Sequence, residues 1–180
     1  IYRLEKQYRR AGVSVSRATM NELLHRHAEL LAPLSERLLK RIGESEIVLA
    51  DETTIKLQSG GRKAWMWASL AGNLIGYRFS ADRSGKTPQS TRFLDDPRIP
   101  VDNNRSEGAL RVVALGRRNF LFAGNEVAGK NLAGIYSLIS TCEACGVNPM
   151  EYLPDVLRRI SSHPAADIDA LLPDQWQSLS

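Results

Sequence analysis

Two carboxylates in this chain stand at positions where acid chemistry is plausible. Asp51 closes a short apolar run, Ile47-Val48-Leu49-Ala50, that reads as a buried strand ending at Asp51-Glu52-Thr53. A carboxylate there is costly unless it is exposed, paired or bound to a metal. Glu52, adjacent, points to the other side of the strand. The bland alternative makes Asp51 a turn or cap residue. The second acid lies in Asp102-Asn103-Asn104-x-x-Glu107-x-x-x-Arg111. Asp and Asn are good N-caps, and Glu107 with Arg111 has the spacing of an i,i+4 pair. The functional alternative places Glu107 one turn into a helix, facing the sheet that carries Asp51. Two carboxylates from distant parts of the chain would then hold Mg²⁺, an ion that takes oxygen ligands. Spacing alone favours the bland reading.

Other groups carry less chemistry. Arg3, Lys6, Arg9, Arg10 and Arg17 accompany a helix, a Gly-containing turn and a second helix starting near Arg17. That pattern resembles a helix-turn-helix whose cations contact DNA phosphates. It is equally a solvated helical face. Arg117 and Arg118, with Arg105 and Arg111 nearby, form a second basic cluster suited to a DNA backbone. Cys142 and Cys145 form a lone CxxC within a helical pattern; zinc requires about two further ligands, so buried thiols are the simpler reading. His25 and His27 are two apart, a spacing that a helix does not align. Trp65 and Trp67 share one face of a strand, where packing explains them more simply than base stacking.

The elements that must position these residues follow from periodicity and turn chemistry. Residues 2–10 read as a helix. An apolar stripe from Met20 to Ile42 reads as a longer one, with Thr19-x-x-Glu22 as a capping box and Pro33 as a kink or restart. Residues 63–70 and 74–80 flank Gly72-Asn73 and make a hairpin. Helices follow from about Arg105 to Leu115, from 127 to 145, and from Pro149, with Pro154 awkward inside it; the tail to Ser180 reads as irregular. The order of helices, three strands and helices is α+β with a three-stranded antiparallel sheet. The expected organisation is a helical region at 1–42, a core at 43–122 and a helical region at 123–180.

Bulk composition bounds the rest. With 180 residues, 43% of them hydrophobic, the chain can bury a core. Its 24 Lys and Arg against 20 Asp and Glu give a net charge of +4, a mild lean toward anionic partners. No apolar run has the length of a membrane span, nothing resembles a signal peptide, and two cysteines make no disulfide framework, so a cytoplasmic setting is expected. Ile1 in place of an initiator Met suggests an internal cut.

The runs IVLADET, DRSGKTPQ, TRFLDDPRIPVDNNRSEGALRVVALGRRNFLFAG and IYSLISTCEACGVNPMEYLPDVLRRI resemble the insertion-sequence-sixty-six family of bacterial transposases. The likeness runs from about Tyr2 to Trp176. The block around Glu107 is long enough to be specific, whereas DET or DRSG alone is not. The resemblance implies a ribonuclease-H-like core with an Asp-Asp-Glu triad. On it, the first acid falls on Asp51 and the last on Glu107. It further implies transposon-end DNA as substrate, phosphodiester hydrolysis and strand transfer as chemistry, and Mg²⁺ (or Mn²⁺) as cofactor, two ions about 3.5–4 Å apart.

One departure qualifies that inheritance. In the family a long segment separates DRSG from FLDD and carries a fourth strand with the middle Asp. Here Gln89-Ser90 runs straight into Thr91-Arg92-Phe93. Asp82, at the end of the third strand, is the nearest possible substitute; Asp95 and Asp96 are others. Without the fourth strand, the strand of Asp51 becomes an apolar edge, from which marginal stability or homo-oligomeric pairing is expected. The expected protein is a truncated ribonuclease-H-like transposase, impaired in catalysis. The alternative is a non-enzymatic DNA-binding remnant or regulator of transposition.

Overall fold

The computed structural model describes residues 1–58, 62–82, 104–119 and 124–178. Helix α1 (Tyr2–Arg10) buries no residue. Gly12 and the residues after it separate α1 from α2 (Arg17–Gly43). Ser16, not Thr19, caps α2: its hydroxyl accepts from the Thr19 N–H at 3.1 Å. The expected Thr19-x-x-Glu22 box is thus displaced by three residues, because the earlier serine already satisfies the first-turn donors. Pro33 neither ends nor restarts the helix, which runs through it. Leu31, Leu34, Leu38 and Ile42 are all buried on one stripe. Burying four such side chains contributes roughly 1.5–3 kcal/mol each, which outweighs the ~3 kcal/mol an interior proline costs.

The sheet has the order β1-β2-β3, antiparallel throughout: β1 (Leu49–Lys56), β2 (Lys63–Ala71) and β3 (Leu74–Ser80). Gly72 takes φ +58°, the left-handed conformation that a two-residue hairpin between β2 and β3 demands. Strand β1 corrects the expected ending at Asp51-Glu52-Thr53. It starts at Leu49 and continues to Lys56, so Asp51 is inside the strand. The β-branched Thr53-Thr54-Ile55 prolongs it, and Ile55 is buried opposite Ala64.

Alternation divides the sheet into two faces. Ile55 of β1, Ala64, Met66, Ala68 and Leu70 of β2, and Tyr77 and Phe79 of β3 form one apolar face. Helix α3 (Asn104–Asn119) lies on it through Ala109, Leu110 and Val113. It starts one residue earlier and ends four later than the pattern predicts. The opposite face meets α2: a Cβ on Gly76 would sit 2.6 Å from Leu39.

Helix α4 (Glu126–Cys145) covers the outer edge of β3. Gly129, Ala133, Ser137 and Thr141 recur every four residues along one side of it, all buried or nearly so. Small side chains let the helix come close enough for its hydroxyls to serve the strand. Ser137 Oγ accepts from the Tyr77 N–H at 2.7 Å, and Thr141 Oγ1 both accepts from the Ile75 N–H and donates to the Ile75 carbonyl. An edge that would otherwise present unpaired backbone groups is closed by side chains.

A second core joins α2, α4 and α5 (Pro149–Arg159), which Asn148 caps and Pro154 does not interrupt. The tail corrects the irregular reading. Residues Ala165–Leu171 form a 3₁₀ stretch, Leu171 and Leu172 are fully buried, and Trp176 packs edge-on against Tyr152. Two bidentate ion pairs clamp this tail to α2. Arg37 donates to Asp169, and Arg41 donates to Asp174 at 3.0 and 2.9 Å. The α+β class and the three-stranded antiparallel sheet stand as expected.

Candidate metal centre and nucleic-acid interface

Asp51 pairs with Ala68, and Ala68 pairs with Tyr77. The three form one row across the sheet on the face that α3 covers, with Asp51 about 10 Å from Tyr77 across two strand spacings. Asp51 is half-buried, and its Oδ1 accepts from the Glu52 N–H at 2.7 Å. Glu52 itself turns to the opposite face, in a row with Trp67 and Arg78. Asp51 is therefore the acid of this pair directed toward the helix.

On α3, Ser106, Ala109, Leu110 and Val113 are buried, whereas Glu107 and Arg111 are exposed. Glu107 thus stands on the helix that covers the Asp51 face but outside the packed seam. The Tyr77 hydroxyl donates to the Ala109 carbonyl at 2.8 Å, two residues along from Glu107. Burial raises the Tyr77 pKa above its ordinary value, against a smaller lowering from Ser140, so this hydroxyl keeps its proton.

The remaining candidate acids are distributed differently. Strand β3 ends at Ser80, level with Trp65 and hence with Thr54, already past the Asp51 row. Asp82 stands two residues past the end of that strand. It is exposed and accepts from Ser80 Oγ at 3.3 Å. Asp95, Asp96, Asp102 and Asn103 lie outside the described residues, as do the side chains of Arg105, Arg117 and Arg118. Among the described residues, no group of three or more His, Cys, Asp or Glu could hold a metal ion.

Two carboxylates from β1 and α3 suit the way Mg²⁺ is commonly held, by one or two carboxylates together with substrate phosphates.

The basic residues of the N-terminal helices are exposed: Arg3, Lys6, Arg9, Arg10 and Arg17. Lys6 sits 4.8 Å from the Tyr2 ring centre, and Arg17 approaches the same ring. Glu5 pairs with Arg17 at 3.3 Å and Arg9 at 3.8 Å. The buried residues of α2 run from Ala28 to Ile42, and its first turns hold none.

Cys142 is fully buried, and burial pushes its thiol up to about 12. Cys145, half-buried, is also raised by burial. His25 bonds Asn131 at 3.2 Å. Trp65 and Trp67 share the face opposite Met66, half-buried, while the core of β2 is Ala64, Met66, Ala68 and Leu70.

The family model described as Transposase IS66 family matches residues 1–91 and 87–131, and the IS66 C-terminal element matches residues 137–173. The chain belongs to the IS66 transposase family. The first match falls into two segments that meet at 87–91, where Gln89-Ser90 runs into Thr91. Curated relatives occur in Sinorhizobium fredii strain NGR234. Uncharacterized protein y4hP is 43% identical over 88 residues, 49% of this chain and 16% of that protein. Uncharacterized protein y4qI is 43% identical over 83 residues, 46% of this chain and 15% of that protein. Uncharacterized protein y4jD is 40% identical over 88 residues, 48% and 17% respectively. These alignments span about one sixth of the length of those proteins. No solved structure matches the chain. No helix among the described residues is long and apolar enough to cross a membrane.

Sequence reasoning missed Tyr77, Ser137 and Thr141. Alternation in LIGYRFS marks Tyr77 as inward-facing, but nothing local announces a partner 32 residues away. The four-residue recurrence of small side chains from Gly129 was the available signal for the α4–β3 seam.

Proposed function

We propose that this chain is a catalytic-region segment of an IS66-type DNA transposase that keeps two of its three metal-binding acids, Asp51 and Glu107. Its substrate class is transposon-end DNA, and its ancestral reaction is metal-dependent phosphodiester cleavage and strand transfer. The observation that carries this reading is the placement of Asp51 on the sheet face covered by the helix of Glu107, within a family whose match breaks where a middle acid would be supplied.

Asp51 and Glu107 would hold one Mg²⁺ or Mn²⁺, with phosphate oxygens completing its coordination. When bound, the ion supplies Lewis-acid stabilisation of a phosphoryl oxygen. The chain's own residues contribute the rest. Asp51 would present one carboxylate from β1, Glu107 would supply the second from the exposed side of α3, and the cations of α1 and α3 would hold the DNA backbone. A single two-carboxylate site does not organise both attacking and leaving oxygens, so catalysis is impaired.

The test is a Mn²⁺-dependent nicking assay on transposon-end DNA, with Asp51→Asn as control. The reading expects DNA binding with at most trace nicking, all of it lost in Asp51→Asn. Efficient cleavage, or nicking that persists in that variant, contradicts it.

A second reading rests on the exposed cations of α1, none of whose residues is buried. It makes the chain a non-enzymatic DNA-binding remnant or regulator of transposition. Its mark is end-DNA binding that falls steeply with salt and is insensitive to Asp51→Asn.

A further inference from the structure

We infer that Tyr77 is a positioning residue for the candidate metal centre, setting the height of the Glu107 helix over the row that contains Asp51. This rests on the two-carboxylate reading above.

Besides the buried Ser106, α3 meets the sheet through Ala109, Leu110 and Val113, which share one apolar cluster with Met66 and Ala68. Apolar contact is strong but non-directional, and it tolerates a slide of the helix along its axis. A hydrogen bond does not. The Tyr77 hydroxyl donates to the Ala109 carbonyl at 2.8 Å, in a pocket where Tyr77 is 1% exposed. In an α-helix that carbonyl already accepts from the N–H four residues on, so the phenol uses its second lone pair.

The phenol is itself fixed. Its backbone N–H donates to Ser137, its hydroxyl lies 3.4 Å from Ser140 Oγ, and its ring meets Tyr136 edge-on at 6.0 Å between centres. Strand β3, helix α3 and helix α4 therefore meet at one side chain.

Two consequences join at this point. Tyr77 is in the same sheet row as Asp51, through Ala68. Glu107 lies two residues before Ala109, about 3 Å along the helix axis. The hydroxyl thus ties the sheet row of Asp51 to the helix that carries Glu107. Mg²⁺-type sites demand ligand distances near 2.0–2.1 Å, and a support that is loose by about 1 Å defeats such a site.

The experiment measures Mn²⁺ affinity on the full 180-residue chain, from the free-ion signal in electron paramagnetic resonance. It compares wild type with Asp51→Asn, Glu107→Gln, Tyr77→Phe and Tyr152→Phe. Tyr152 is the matched control: it is also fully buried, and its hydroxyl also donates to a helix-end carbonyl, that of Leu171 at 2.7 Å, in the other core. All variants are read at a temperature where circular dichroism shows them folded.

The expected result is Mn²⁺ binding by the wild type, loss in both acid variants, roughly tenfold weakening in Tyr77→Phe, and no change in Tyr152→Phe. Water-proton relaxation should also register added water on the ion in Tyr77→Phe. Equal affinity in Tyr77→Phe and Tyr152→Phe, with the acid variants still defective, overturns the role of Tyr77 alone. Absence of Mn²⁺ binding by the wild type, or binding indifferent to Asp51 and Glu107, overturns the two-carboxylate reading and this role with it.

Discussion

Asp51 and Tyr77 flank Ala68 in one row of the sheet, one on each neighbouring strand. The row connects an acid on β1 to a hydroxyl on β3 that bonds the helix of Glu107. That helix and β1 come from opposite sides of a family match that breaks at 87–91. Four predictions concern the scaffold that holds this arrangement.

The α4–β3 seam depends on two hydroxyls. Ser137→Ala leaves the Tyr77 N–H buried without its acceptor, and Thr141→Val removes both bonds to Ile75. Each should lower stability by about 1–3 kcal/mol, read as a shifted urea midpoint with unchanged slope.

Two helical glycines should respond oppositely to alanine. A Cβ on Gly129 would lie 2.6 Å from the buried Phe79 ring, whereas one on Gly108 meets nothing within 4 Å. Gly108→Ala should raise the melting temperature, the helix gaining up to about 1 kcal/mol. Gly129→Ala has the same propensity gain, but overpacking costs about 1–3 kcal/mol, so it should lower the melting temperature.

Acid should release the C-terminal tail first. The hydrogen bond from Arg37 holds the Asp169 carboxyl below its ordinary value near 3.8. At Asp155, burial works the other way, but hydrogen bonds from Trp176 and Arg159 outweigh it, and the net shift is also downward. A depressed folded pKa means stability that is fully present above the unfolded value and lost as pH falls through the folded one. Melting temperature should therefore drop as pH falls below about 4, and more gently in Asp169→Asn. High salt should blunt the Asp169 part, since that pair is partly exposed.

The two thiols should differ in reactivity. Burial pushes Cys142 up to about 12 from an ordinary 9.0, which keeps it a neutral thiol at pH 8, and the residue is fully buried. Cys145 is raised too but is only half-buried. Iodoacetamide at pH 8 should modify Cys145 first and reach Cys142 only on unfolding, as peptide mass spectrometry would record. Because the Cys142 pKa is raised in the folded state, its stabilising contribution is present below pH 9 and lost as pH climbs toward 12.

Much of this arrangement is legible in the sequence. The hairpin follows from Gly72-Asn73 between alternating runs, and α4 ends at Gly146 as its periodicity requires. Periodicity also gives the two faces of β2, with Met66 inward and the tryptophans opposite. What escapes is whatever depends on distant partners. The extent of β1 beyond Asp51 is decided by pairing with β2, since Thr53 and Thr54 alone do not distinguish a strand from a turn. The tail reads as irregular because Leu171, Leu172 and Trp176 have no helical period. Their burial against α2 and α5 is a tertiary fact. At the candidate site, Asp51 and Glu107 stand out only through the family resemblance, because each has an ordinary structural explanation. Tyr77 does not stand out at all: a buried tyrosine and a bonded one look alike in sequence.

The central claim is that Asp51 and Glu107 together hold one divalent cation. The most direct measurement is anomalous diffraction from crystals of the chain grown with Mn²⁺. The account predicts a single anomalous peak in direct contact with carboxylate oxygens of Asp51 and Glu107. A well-occupied pair of ions about 3.5–4 Å apart, or a Mn²⁺ peak that avoids either carboxylate, would contradict it.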